Sequence, residues 1–329
     1  MSARPERSSG GAAVGALLAR YQPVQGIPDE LVDAAGRMRP VWRGFMEAFA
    51  AMTPEERADR AQRGEQYLRD AGVFYRYYDA QNSSEREWPF SPVPVIINEA
   101  EWSVIEAGLI QRAEVLEALA RDVYGANRLV ADGVLPPDIV AASPEWLRPM
   151  VGVTPPDGNF LHFIAFDVGR GPQGQWWVLG DRTQAPSGAG FALENRVATT
   201  RAYADIYGRS NVRRLAGFFR AFRDAMNGLR ADTGSRVGIL TPGPMNETYF
   251  EHAYIARYLG FALLEGEDLT VEDDALMVRT VAGLQPVHVL WRRLDAQWAD
   301  PLEFEASSRL GTPGLMAAVR GGCVHIVNA

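Results

Sequence analysis

The densest run of chemically capable side chains is Asp181-Arg182-Thr183-Gln184-Ala185-Pro186-Ser187-Gly188, preceded by Asp167 within an apolar stretch. Carboxylates near the ends of paired strands commonly hold magnesium beside phosphate oxygens, so Asp167 is a candidate metal ligand; a solvated turn aspartate is the competing reading. Arg182 offers a planar fork to a phosphate or carboxylate, although most arginines make surface contacts. The run ends in a glycine-containing loop able to present backbone N–H groups to an anion. Strand alternation puts positions 180, 182 and 184 on one face and turns Asp181 to the other.

A second constellation follows. Thr241-Pro242-Gly243-Pro244-Met245-Asn246-Glu247-Thr248-Tyr249 lies between a strand and a helix, where unpaired N–H groups favour anions. It lacks the GxGxxG spacing of a dinucleotide site. Glu251 and His252 sit one turn into that helix as candidate acid/base or hydrogen-bonding groups, against the ordinary alternative of packed side chains. Arg292 and Arg293, with Asp295, follow an apolar strand at the edge where α/β sheets place ligands; a structural ion pair explains them equally well. Cys323 and His325 have no second pair and make no zinc site. No GxSxG, HExxH or Walker-type loop is present.

The elements carrying these groups are readable from periodicity. Residues 1–71 form a front piece: ten Ser-, Gly- and Arg-rich residues expected to be mobile, then amphipathic helices over 31–38 and 42–52, and a helix capped by Thr53 with Pro54 in its first turn. Asn98 and Glu101 form a capping box for a helix over 99–124 that stops at Gly125. Its stripe Trp102, Ile105, Leu109, Leu116, Leu119 and Val123 is expected in the core. Asn159 to Val168 and Gln175 to Gly180 read as an antiparallel hairpin joined by Gly169 to Gly174. Helices are expected over 191–207 and 211–230, and the polar piece 230–235 is the candidate boundary between residues 72–234 and 235–329. Beyond it, strand 236–240, helix 247–258 and strand 261–265 make a βαβ unit, continued by strands 269–271, 276–280 and 287–291. The class is α/β with an α+β front part.

The bulk numbers narrow the functions. The chain has 329 residues, a net charge of −8 and a pI near 5.2, which leaves no basic field for nucleic acid. One cysteine and no run long enough to span a membrane read as a cytoplasmic protein.

Several segments, in unbroken order over roughly residues 72–329, resemble the circularly permuted ATP-grasp proteins. They are Glu85 to Phe90 (EREWPF), Glu101-Trp102 with Glu106, Gly108, Gln111 and Arg112, Val123 to Gly125 and Asp132 to Val134. They continue with Ser143-Pro144, Leu147 to Pro149, Val151 to Val153, His162 to Asp167, Ala185 to Gly188 and Leu193 to Arg196 (LENR). The last are Leu240 to Gly243, Asn246, Tyr249 to His252, Arg292 to Asp295 and Gly311 to Gly314.

The resemblance implies a permuted ATP-grasp C-terminal subdomain with the hairpin 159–182, then a Rossmann-like pre-ATP-grasp domain. It implies an ATP- and Mg2+-dependent ligase that joins a carboxylate to an amine or peptide through an acyl phosphate. The lobe with the nucleotide-binding lysines would lie beyond residue 329 or on a partner protein. Asp167 would bind metal; Asp181 and Arg182 would meet the nucleotide; Arg182 and Gln184 would act on the phosphoryl group. Pro186, Ser187, Gly188, Asn195, Arg196, Gly243, Asn246, Tyr249, Glu251, His252, Arg292 and Arg293 would surround the substrate. The family's Glu-x-Asn metal pair falls on Gly180 and Arg182, which weakens the expectation of magnesium binding. The alternatives are a non-catalytic ATP-grasp-like module that binds a peptide or protein, and a truncated gene fragment. The fragment reading expects an exposed apolar edge or face around residues 236–329.

Overall fold

The structure is a computed structural model and describes residues 7–79 and 82–328. The front piece contains α1 (Arg7–Leu18), α2 (Arg43–Ala50) and α3 (Pro54–Asp70), followed by the hairpin β1 (Phe74–Asp79) and β2 (Asn82–Glu87). Of the ten residues expected to be mobile, Arg7 to Gly10 belong to α1, and residues 1–6 lie outside the described residues. Thr53 caps α3 as expected: its side chain accepts from the Glu56 N–H while Glu56 reaches back to the Thr53 N–H.

The helix expected over 31–38 is absent. Asp29 accepts from the N–H groups of Leu31 and Val32, Asp33 accepts from those of Ala35 and Arg37, and Gly36 has φ +72°. Side-chain acceptors thus captured the donors a helix would have used.

The middle of the chain is organised by α4 (Glu99–Tyr124), capped by Asn98 at the predicted position and closed at Gly125. Its stripe is less buried than its periodicity suggests: Ile105 alone is fully buried, and the other five positions are half-buried. Short helices α5 (Arg128–Ala131) and α6 (Pro137–Ala141) lead to β3 (Ala165–Arg170) and β4 (Trp176–Arg182), a two-stranded antiparallel sheet. Residues 159–164, expected as strand, lie outside it. The Glu117 carboxylate accepts from Phe160 and Leu161, and Asn328 accepts from His162 and Phe163, so side chains replace a strand partner. Then come α7 (Ala189–Ala202), α8 (Ala204–Arg209) and α9 (Ala216–Gly228).

The final third holds β5 (Arg236–Leu240), α10 (Tyr249–Leu259), β6 (Ala262–Leu264), β7 (Leu269–Glu272), β8 (Ala275–Thr280), β9 (Gly283–Arg292), α11 (Leu315–Arg320) and β10 (His325–Val327). The expected βαβ unit is present, with β5 and β6 parallel. The long β9 joins two patterns. Its first half pairs antiparallel with β8, and its second half runs parallel between β5 and β10. Central β5 is apolar on both faces because both are covered.

Residues of β9 enter two cores, and an extra residue at His288, between the Arg236–Val287 and Val237–Val289 pairs, breaks the simple alternation. Val287 and Leu290 pack with Leu240, Leu264, Leu315 and Met316; Val289 and Trp291 pack with Ile239, Ile255, Phe219, Phe222 and Leu193. A third cluster joins Trp42, Phe45 and Leu68 of the front piece to Phe191, Ala198 and Tyr203.

Candidate functional site

The site begins with a bulge. β3 and β4 are in register at Asp167 opposite Gly180, but Val168 faces Val178, leaving Leu179 as the extra residue. Asp167, Gly180 and Arg182 therefore share one face, and Asp181 lies on the other, where Arg112 of α4 holds it at 2.6 Å. That contact keeps the Asp181 carboxyl below the usual carboxylate range. The alternation read from the sequence is what the hairpin adopts.

On the outer face, Arg182 Nε and Nη2 both lie 2.9 Å from Oδ2 of Asp167. Gly180 offers no side-chain donor beside them. Among the described residues no group of three or more His, Cys, Asp or Glu side chains is arranged to hold a metal ion. One carboxylate oxygen already bound to a guanidinium does not fit a magnesium site, which needs several oxygen ligands at short distance.

Beyond β4 the chain is clamped from below. Gln184 accepts from Arg292 Nη1 at 2.9 Å and from the Ala296 N–H at 3.1 Å, and it donates to Glu145. Arg293 Nη1 donates to the Pro186 carbonyl at 2.7 Å, and its Nη2 lies 3.5 Å from Glu251 Oε1. Glu251 in turn accepts from the Gly188 N–H at 2.5 Å, at the start of α7. Two adjacent arginines at the end of β9 thus fix alternate residues of the 184–188 segment.

Burial pushes Glu251 up and Arg293 down in pKa, each partly countered by the other's charge. Burial also pulls Arg292 down to about 10. Its remaining partners are the carbonyls of Leu294 and Asn328. Gly190 is required here, because a Cβ would lie 2.8 Å from Glu251 Cγ.

His252 is buried with Nδ1 2.9 Å from Thr241 Oγ1 and Nε2 3.2 Å from Thr248 Oγ1, and desolvation lowers its pKa to about 3. It is a neutral hydrogen-bonding strut between the ends of the 241–248 loop. Asn246 Oδ1 accepts from the N–H and hydroxyl of Thr248, and Gly243 has φ +91° with Glu265 packed where a Cβ would stand. Tyr249 is half-buried.

The sequence-derived list therefore divides. Arg292, Arg293, Glu251 and His252, read from sequence as substrate contacts, are at most 5 % exposed and have protein partners. They hold the loops in place and do not face solvent. Asp167, Arg182 and Ser187 are exposed, and Asn246 and Tyr249 partly so. Asn195 and Arg196 are drawn elsewhere: Asn195 accepts from Trp88 Nε1 at 3.0 Å, and Arg196 donates to the Arg213 carbonyl at 2.9 Å. A concavity of about 680 Å³ runs between α4 and residues 159–164 and includes none of the site residues read from sequence. Its Glu117 and Arg121 are spent on Phe160, Leu161 and Asn159.

Two residues of this assembly were not singled out from sequence as site residues. Asn328 uses both ends of its amide, accepting from His162 and Phe163 and donating to the Phe163 and Thr183 carbonyls. Glu145 meets Gln184. Neither stands in a local pattern that marks it.

A mixed α/β chain with a carboxylate–guanidinium hairpin end, clamped by paired arginines onto the parallel part of a mixed sheet, is the arrangement to be placed among known proteins. The chain belongs to the circularly permuted ATP-grasp type 2 family, whose description matches residues 94–329. It is 36 % identical over 303 residues to an uncharacterized protein of Synechocystis sp., covering 92 % of this chain and 63 % of that one. It is 36 % identical over 318 residues to an uncharacterized protein of Mycobacterium tuberculosis, covering 91 % and 35 %, and 34 % identical over 305 residues to a second one, covering 92 % and 54 %. The chain thus spans between about a third and just under two thirds of the length of these curated relatives. A glutathione synthetase-like effector from Globodera pallida aligns with a TM-score of 0.46 and 12 % identity over 82 % of this chain and 64 % of that one, a likeness too loose to carry a functional argument. No helix among the described residues is long and apolar enough to cross a membrane.

Proposed function

We propose that this chain is part of an ATP-dependent ligase that joins a carboxylate to an amine or peptide through an acyl phosphate, completed by sequence beyond residue 329 or by a partner protein. Family membership supports a ligase-type reaction class. The observation that carries the reading to these residues is the double clamp from Arg292 to Gln184 and from Arg293 to Pro186, which fixes the segment between the exposed Arg182 and the exposed Ser187.

In this reading Arg182 contacts phosphoryl oxygens, where a fixed guanidinium stabilises the charge that develops on transfer. Ser187 and the Gly188 turn, with Asn246 and Tyr249, hold the substrate. Gln184, Glu251, His252, Arg292 and Arg293 are positioning residues that keep those two loops in register. Asp181 orients the hairpin on α4 and does not reach the nucleotide. ATP is the co-substrate. Mg2+ requires oxygen ligands that the Asp167 face does not offer by itself.

The test is ADP release by a complete assembly, this chain with the remaining sequence of such relatives, across a panel of carboxylates with amines. ATP-dependent product that is lost in Arg182→Ala and retained in Asn195→Ala is the expected result. No ADP release across the panel favours the second reading, a non-catalytic module that binds a peptide or protein, which the Asp167–Arg182 pairing supports.

A further inference from the structure

We propose that the outer face of the β3–β4 hairpin binds phosphate-bearing ligands through the Arg182 guanidinium, oriented by Asp167, in place of a divalent metal ion. The inference deepens the ligase reading and rests on it only for the ligand class.

A divalent cation on Asp167 would share Oδ2 with two N–H donors already 2.9 Å away, and would face a like charge with no second ligand from Gly180. The hairpin's own second carboxylate, Asp181, is held against Arg112 on the opposite face. The same geometry suits an anion. Asp167 occupies the Nε–Nη2 edge of the fork, which fixes the plane of the guanidinium and leaves the Nη1 side for oxygens arriving from solvent. Arg182 retains 64 % of its side-chain exposure.

The bulge adds a second feature. Simple alternation would send residues 177 and 179 to the face opposite Gly180. With the extra residue in β4, Trp177 lies across from Gly169, and Leu179 packs where a Gly169 Cβ would stand, on the Asp167 side. Trp177 and Leu179 are 55 % and 73 % exposed. An apolar shelf therefore runs along β4 beside the cation, with Leu179 about 10 Å from Arg182 along the strand. A ligand joining phosphate to a flat or apolar group uses both parts.

Calorimetric titration of the 329-residue chain with pyrophosphate in EDTA, then in excess MgCl2, tests this. The expected result is binding in EDTA that magnesium changes by no more than about twofold, a loss of about tenfold or more in Arg182→Ala, and equal or tighter binding in Asp167→Asn. Trp177→Ala leaves pyrophosphate unchanged and weakens ADP. Absence of pyrophosphate binding in EDTA overturns the proposal, as does binding that needs magnesium and disappears in Asp167→Asn. Metal-dependent binding by an assembly that still releases ADP would sink this inference and leave the ligase reading intact. EDTA-resistant binding without ligation would do the reverse.

Discussion

Glu251 and Arg293 face each other from α10 and the end of β9 with side chains only 1 % and 2 % exposed, and between them they hold both ends of the Pro186-Ser187-Gly188 turn. A buried pair contributes little beyond an apolar substitute of equal shape, yet it is costly to break from one side. Glu251→Ala or Arg293→Ala therefore loses about 3–5 kcal/mol of unfolding free energy. The double substitution Glu251→Leu with Arg293→Met recovers much of that loss while freeing the turn, and urea denaturation of wild type, the two alanine variants and this double variant measures both.

Gly190 touches the same carboxylate. Gly190→Ala places a methyl 2.8 Å from Glu251 Cγ and 3.4 Å from Ile255 Cγ1, so α7 must move away from α10. The helix propensity gained from alanine is outweighed by overpacking, and we expect a net destabilisation of about 1–3 kcal/mol, read as a lowered denaturation midpoint at unchanged m-value.

Acid stability depends on His252. Its folded-state pKa of about 3 lies below its ordinary value of 6.5, so the unfolded chain binds the extra proton first. Stability is complete above about pH 6.5 and falls as the pH drops from there towards 3, by up to roughly 4 kcal/mol from this group. Glu251 has the opposite sign. Its raised pKa favours the protonated carboxyl in the fold, and its contribution is lost as the pH rises through that value. Comparing wild type with His252→Gln isolates the histidine: the variant has a shallower fall in stability between pH 6.5 and 4, and parallel curves would refute the assignment.

Asn328 ties β10 to the segment entering β3 and to the residue after β4. Asn328→Leu takes the side-chain partner from the buried N–H and C=O of Phe163 and from the part-buried His162 N–H and Thr183 carbonyl. Each unsatisfied group costs about 1–3 kcal/mol, so a loss of about 3 kcal/mol or more is expected. Faster amide hydrogen exchange at His162 and Phe163 checks that the loss is local to this tie.

The front piece offers a milder control. Thr53→Ala removes the capping-box acceptor for the Glu56 N–H and lowers stability by about 1 kcal/mol, with no change in anion binding at Arg182.

Local chemistry made much of this protein legible in its sequence. The Asn98 and Thr53 caps, the βαβ pattern from Arg236 to Leu264, and the strand alternation separating Asp181 from Arg182 depend on groups within a few residues of one another. The ordered segments that resemble the ATP-grasp proteins pointed to the family that residues 94–329 match. Of the exposed large apolar residues, Met245, Tyr258, Val281, Leu284, Leu302 and Leu310 lie within 236–329, and Val104, Ile110, Val115, Trp177 and Leu179 lie on α4 and β4. Only the tertiary structure decided which charges meet. Arg292 finds Gln184 across 108 residues, Arg293 finds Pro186 across 107, and Asn328 finds His162 across 166. Periodicity in one segment carries no information about partners that distant. Nor does it reveal that one extra residue in β4 turns Trp177 and Leu179 towards Asp167 and Arg182, because a bulge is defined by the pairing of two strands and not by either strand alone.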